Sequence, residues 1–145
     1  QGLGFEIAKY FVKKGSNIII CARNKKKLEF AKNFLKDLSH YGKVKSYQLD
    51  ISDYRKVDIL FSKILRKNKI DILINNAGIY GPKGKSEELS WKLWKNTINI
   101  NLLGSIYIIN KFIKYFKKKK TWKNYSNSWG WSSIFFSIFF SLCCK

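Results

Sequence analysis

From Gly4 to Tyr115 the chain switches back and forth between two hydrophobic periods, and that alternation restricts the fold more than any other feature. Apolar residues three or four apart build one face of a helix, whereas a short continuous apolar run builds a strand buried on both faces. Residues 4–14, "GFEIAKYFVKK", set Phe5, Ala8 and Val12 on one helical face, and Gly15 closes the helix. "NIIICA" at 17–22 is a continuous apolar strand. Leu28, Ala31, Leu35 and Leu38 then recur at helical spacing, with Gly42 as the stop, and "KVKSYQLD" at 43–50 reads as a second strand. Ser52 is placed to cap a third helix that turns Val57, Leu60, Ile64 and Leu65 inward. "IDILIN" at 70–75 is a third strand, followed by a Gly/Pro loop at 77–85 and a helical stretch at 86–118 that divides into one or two helices. Helices and strands in this order, with short links, require right-handed crossovers and a parallel sheet covered on both faces. Chains of that α/β class hold ligands beyond the carboxyl ends of their strands.

Two motifs fall at those ends. Gly2-Leu3-Gly4 opens the first helix, where a backbone without side chains can approach a phosphate and the helix N-terminus supplies N–H donors. A plain N-terminal turn explains these glycines about as well. "DILINNAG" at 71–78 is more specific: a buried strand runs into two side-chain amides and a bend of small residues, Asn75, Asn76, Ala77 and Gly78, beside the ligand crevice. The competing reading is a simple turn, because Asn and Gly favour turns.

With these motifs in this order, residues 1 to about 116 resemble the short-chain dehydrogenase/reductase family. The resemblance implies a Rossmann-like, doubly wound parallel sheet that is incomplete here, lacking the first strand and the C-terminal strands and helices. Gln1 to Gly4 look like the tail of the family's Thr-Gly-x-x-x-Gly-x-Gly loop. At the end of the second family strand the cofactor is chosen, by an acid on the ribose hydroxyls or a base on the 2′-phosphate. Here Arg23 is followed by Asn24 and Lys25, with no acid, so NADP(H) is favoured over NAD(H). Asp50 matches the acid that contacts the adenine amino group, with Ile51 packing beside it, and Asn75 to Gly78 match the cofactor-side bend. Asn101, in "NINLLGSIYIINKF", falls where the family has its catalytic Asn, whose role is to hold a water linked to the active-site Lys. As one of twelve Asn it could equally be a surface residue. The family's Ser and Tyr-x-x-x-Lys are expected near Ser128 and at positions 141 and 145. Lys145 is present, but position 141 is Ser141. The pairs Tyr10/Lys14, Tyr107/Lys111 and Tyr115/Lys119 have the spacing but lie in the wrong helices. The parent protein is therefore expected to transfer hydride between the nicotinamide and a small ketone or secondary alcohol, with no metal, as a homodimer or homotetramer. The chain as given is expected to be inactive.

Charge is the main argument for another class. The net charge of +20 invites a nucleic-acid surface, yet 26 of the 29 basic residues are Lys and they are spread over every polar stretch. Lys, Ile and Asn make up 57 of the 145 residues, a bias that AT-rich codons produce without a dedicated patch. Nucleic acid is accordingly not expected as a partner. Cys21 sits in an apolar run and Cys143–Cys144 are adjacent, which suits neither a disulfide framework nor a zinc site and fits a reducing cytoplasm.

The segment 121–145 reads differently from the partial dinucleotide-binding domain at 1–120. Its stretch 129–144 is uncharged and largely aromatic. A membrane span needs about 20 mostly apolar residues, so an anchor is the weaker alternative, belonging with a non-catalytic nucleotide-binding or membrane-associated protein. A core strand carrying the Phe pairs is another alternative, but "WKNYSNSWGW" does not read as the buried fifth strand due at that point. The expectation instead is a change of reading frame at the adenine run that can encode Lys117–Lys120. Read one base later, every Trp codon yields Gly, residues 122–127 can yield "GKIIQI", and Leu142-Cys143-Cys144 can yield Tyr-Ala-Ala.

Overall fold

The computed structural model describes residues 2–119 and the backbone strands at 124–126 and 137–141. In chain order these form α1 (Leu3–Lys13), β1 (Asn17–Ala22), α2 (Lys25–Asp37), β2 (Val44–Gln48), α3 (Tyr54–Lys67) and β3 (Ile72–Asn75). A 3₁₀ turn (Ser86–Glu88), α4 (Trp91–Ile98), a π-helical turn (Asn99–Gly104), α5 (Ser105–Lys119), β4 (Asn124–Ser126) and β5 (Ser137–Ser141) follow.

Side-chain alternation along the strands divides the core in two. Ile18, Ile20, Ile72 and Ile74 face one way and meet Phe5, Ala8 and Val12 of α1 and Leu28, Ala31 and Leu35 of α2. Ile19, Cys21 and Leu73 face the other way, onto Val57, Phe61 and Ile64 of α3 and Ile108, Phe112 and Phe116 of α5. Successive strand residues point to opposite faces, so "NIIICA" and "ILIN" must be apolar throughout to be covered on both. Phe61 is the residue of α3 that the spacing left out; it stacks edge-on against Phe112 at 5.3 Å, while Leu60 and Leu65 are only partly buried.

The helix ends show why the chain turns where it does. At the end of α1 the Gly15 N–H donates to the Val12 carbonyl (2.9 Å) and the Ser16 N–H to the Phe11 carbonyl (3.1 Å). That Schellman arrangement needs a left-handed residue, and Gly15 has φ 79°. Gly42 is no helix stop, because α2 ends at Asp37; a Cβ on Gly42 would run into the Ser16 carbonyl, and close backbone approach is what requires glycine there. The cap of α3 is Asp53, whose carboxylate accepts the Lys56 N–H at 3.1 Å, and not Ser52. Ser52 is turned back onto Asp50.

The strand order is β2-β1-β5-β3-β4. β1 with β2 and β3 with β4 are parallel, as the crossovers demand. β5 departs from the expected all-parallel sheet: it lies antiparallel between β1 and β3, with Phe139 opposite both Ile19 and Leu73. The segment beyond residue 120, to which the sequence assigned no strand, thus places β4 and β5 in the sheet. Among the described residues no helix is long and apolar enough to cross a membrane.

Candidate functional site

The three strands that carry the motifs end on one side of the sheet. Arg23 follows β1, Leu49-Asp50-Ile51 follow β2 and Asn76-Ala77-Gly78 follow β3. Two hydrogen bonds hold the first two tips together: the Leu49 N–H donates to the Ala22 carbonyl (3.0 Å), and the Gln48 side-chain amide donates to the Arg23 carbonyl (2.9 Å). The tips surround a cleft of about 250 Å³, open mouth included, lined by Cys21, Ala22, Arg23, Leu49, Ile51, Ala77 and Ile100. Six of these seven present apolar or weakly polar surface, with one guanidinium at the rim. The walls are therefore apolar, and the cation beside them suits an anionic group. Burial pushes the Cys21 thiol far up from its ordinary value, so it serves as floor and not as a thiolate.

Asp50 stands at the edge of this cleft with its Oδ1 already engaged, accepting the Ser52 N–H at 2.9 Å and the Ser52 hydroxyl at 2.7 Å. That turn fixes where the carboxylate points. The first helix, α1, begins at Gly2, whose φ of 87° suits glycine and whose carbonyl accepts the N–H groups of Phe5 (3.0 Å) and Glu6 (3.2 Å). Among the described residues no side-chain hydrogen bond caps this helix start, and the first-turn amides of a helix, here around Leu3 and the buried Gly4, are suited to an anion.

The Asn-Asn-Ala-Gly bend is tied to the long helix from both of its ends. Asn75 is buried and donates its side-chain amide to the Ser105 carbonyl (3.2 Å), while its Oδ1 has no hydrogen-bond partner among the described residues. Asn101 clasps the residue just after Gly78: the Ile79 N–H donates to Asn101 Oδ1 (2.6 Å), and Asn101 Nδ2 donates to the Ile79 carbonyl (2.8 Å). Asn101 lies in the π-helical turn, the reason residues 91–119 run as helix without a break where sequence left one or two helices open. At the close of that turn Gly104 packs so near Ile51 that a Cβ would sit 3.0 Å from the Ile51 carbonyl oxygen.

The structure therefore gathers Arg23, Ile51 and Ala77 into one cleft and sets Asp50, Gly78 and Asn101 at its border. Sequence reasoning missed Cys21, Ala22, Leu49 and Ile100 as lining residues. Leu49 is the apolar residue just before the tip of the strand read at 43–50 and is buried, whereas Ile100 is buried within the π-helical turn, which no spacing announces. Ser128 and Lys145 lie outside the described residues, as do Gln1, Cys143 and Cys144. Of the chance Tyr-x-x-x-Lys pairs, Tyr107 and Lys111 do meet, but at Asp58 of α3: the Tyr107 hydroxyl donates to Oδ1 and Oδ2 (2.9 and 3.0 Å), and Lys111 Nζ lies 2.8 Å from Oδ1. The Tyr115 hydroxyl accepts the Ile70 N–H at 3.0 Å. Among the described residues no cluster of His, Cys, Asp and Glu could hold a metal ion.

Comparison with known proteins agrees with this arrangement. The family described as short chain dehydrogenase matches residues 1–122. The sorbose reductase sou1 of Schizosaccharomyces pombe is 34% identical over 119 residues, covering 81% of this chain and 47% of its own. An alcohol dehydrogenase from the archaeon Thermococcus sibiricus, solved with 5-hydroxy-NADP, superposes with a TM-score of 0.74 at 28% identity, over 83% of this chain and 51% of that one. Levodione reductase reaches a TM-score of 0.80 at 23% identity, over 86% and 49%, and supports the fold alone. The chain spans about half the length of each of these proteins. The match over residues 1–122, together with the Rossmann-like order of helices and strands, places the chain in the short-chain dehydrogenase/reductase family of oxidoreductases.

Proposed function

We propose that the protein of which this chain forms part is an NADP(H)-dependent oxidoreductase acting on a small ketone or secondary alcohol. The observation that carries the reading is Arg23 at the rim of an otherwise apolar cleft, with Asn24 and Lys25 after it and no acid to hold a 2′-hydroxyl. Ile51, Ala77 and Ile100 would hold the adenine and Asp50 its amino group. The amides at Leu3 and Gly4 would face the pyrophosphate, and Arg23 the 2′-phosphate. Bound there, the nicotinamide supplies hydride chemistry. The chain's own part is to bind, to exclude water from the cleft and, through Asn101, to fix the bend beside which the reaction occurs. The Thermococcus sibiricus relative, solved with an NADP derivative, supports the cofactor class.

The test is a paired titration of the 145-residue chain with NADPH and NADH, followed by nucleotide fluorescence. Binding of NADPH about tenfold or more tighter than NADH is expected from one charge-assisted contact. Equal affinity overturns the NADP preference, and no binding of either overturns the cofactor reading. Turnover by this chain is not expected, because Ser141 stands where the spacing calls for the family's Tyr. A frame change at Lys117–Lys120 is proposed as the origin of that departure, and the nucleotide sequence across the run decides it. A homo-oligomer is proposed for the parent protein, supported by the exposed side chains of Ile98, Leu102, Leu103 and Ile106 on α4, the π turn and α5. A cytoplasmic setting is the companion expectation.

A further inference from the structure

We propose that Tyr54 and Asn99 are positioning residues: their hydrogen bond fixes the register of the π-helical turn and so holds Asn101 against the bend that follows Gly78. A π turn accommodates one residue more than an α turn, and such turns are rare and short. Each residue of an α-helix turns through about 100°. Moving the widened turn by one position along the helix would therefore swing Asn101 far off Ile79. Something must pin it.

Both ends of the turn are pinned. At its start, the Tyr54 hydroxyl, from the first residue of α3, donates to Asn99 Oδ1 at 2.7 Å. At its close, Gly104 packs tightly on Ile51, where a Cβ would sit 3.0 Å from the Ile51 carbonyl oxygen. Asn101 lies between them, gripping the Ile79 N–H and carbonyl at 2.6 and 2.8 Å. Tyr54 is itself braced, since its ring packs on Tyr107 with centroids 4.6 Å apart, and Tyr107 is anchored to Asp58, which also binds Lys111. The phenol of Tyr54 thereby reaches the π turn from a second helix, a contact 45 residues apart in sequence. α3 also follows directly on Asp50 and Ile51, so the hydrogen bond couples the adenine side of the cleft to the turn that carries Asn101. The consequence for catalysis rests on the oxidoreductase reading above; the latch itself rests on geometry alone.

Amide hydrogen exchange at Ile79 in the 145-residue chain tests the latch, because that N–H is the one Asn101 accepts. Asn101→Ala defines complete loss of the clasp. Tyr54→Phe keeps the ring on Tyr107 and removes only the hydroxyl; Asn99→Leu removes the acceptor; Asn99→Asp restores it. Loss of one such bond should raise Ile79 exchange about five- to tenfold in Tyr54→Phe and Asn99→Leu. Asn99→Asp should stay near the parent chain, and the amides of Ile19 and Ile20 in β1 should not move. An Ile79 rate unchanged in Tyr54→Phe overturns the proposal. So does a rise shared equally with β1, which would make Tyr54 a general stabiliser, and so does an Asn101→Ala chain with Ile79 still protected. Nucleotide binding is not the readout, so a chain that ignores NADPH overturns the cofactor reading alone.

Discussion

Arg23 and Gly104 show how much a single position decides at this site, one through charge and the other through space. Arg23 is the one formal charge among the seven residues lining the cleft. Replacing it with Ala should weaken NADPH binding by about ten- to a hundredfold, the range of ~1.5–3 kcal/mol for a hydrogen bond to a charged group, and leave NADH nearly unchanged. A parallel fluorescence titration of the two nucleotides checks this, and an equal loss for both would mean that Arg23 only shapes the cleft. Gly104 acts sterically. A methyl group there meets the Ile51 carbonyl oxygen at 3.0 Å and Ile51 Cγ1 at 3.1 Å. Since Ile51 also lines the cleft, Gly104→Ala should cost about 1–3 kcal/mol of stability by overpacking and weaken both nucleotides alike. Urea denaturation reads the first effect and titration the second. Arg23 was legible in sequence, because charge next to a strand end carries its own chemistry. Gly104 was not, because the need for glycine arises from a backbone 53 residues away in sequence.

The seam between α3 and α5 combines two kinds of contact of very different weight. Phe61, Phe112 and Phe116 are each about 1% exposed and interlock with ring centroids 5.3 and 5.7 Å apart. Removing such a ring costs roughly 3–5 kcal/mol, a large share of the roughly 5–15 kcal/mol that holds a domain together. Phe61→Ala should therefore abolish a cooperative urea transition or shift it far down. Half-exposed polar groups at the mouth of the same seam weigh less. Hydrogen bonds from Lys111 and then from Tyr107 hold the Asp58 carboxyl below its usual range, yet its side chain is 41% exposed, and partly solvated pairs contribute about 0–1 kcal/mol. The sign follows from the lowered folded-state value: the contribution is present above the ordinary carboxylate pKa of about 3.9 and is lost as pH falls through the depressed one. Asp58→Asn should accordingly lower the urea midpoint slightly at pH 6, and the difference from the parent chain should shrink as pH falls below the ordinary carboxylate range. A difference that persists unchanged in acid would show that packing, not charge, is responsible. The helices were legible because their apolar residues recur at a fixed spacing. Phe61 was passed over because Leu60 beside it satisfies the same period, and it is Phe61 that is buried while Leu60 is only partly so.

At the scale of the whole molecule, the sheet is closed by a strand whose place the sequence did not reveal. In the strand order, β1 and β3 stand one strand apart, a gap of about 9.6 Å between their axes. β5 fills it, antiparallel to both, pairing Asn17–Cys21 on one side and Ile72–Asn75 on the other. A strand pattern has period 2 and reads the same in either direction, so "SIFFS" can report that a strand exists but not which way it runs. Charge-free composition had instead set this segment apart from the fold. Energetically the strand belongs to the sheet, because each flanking strand would otherwise expose a row of unpaired N–H and C=O groups in the middle of the sheet, and such edges recruit other chains. Deleting residues 137–145 should convert a monodisperse chain into one that self-associates and unfolds without a cooperative transition. Sedimentation velocity and urea denaturation of the 1–136 chain measure the two effects. A synthetic peptide spanning 137–141, flanked by lysines for solubility, should restore the transition in a concentration-dependent way, since binding to the folded state stabilises it by mass action. If the shortened chain stays monomeric with an unchanged urea midpoint, β5 does not hold β1 and β3 together, and the two halves of the sheet are held by the helices packed across them.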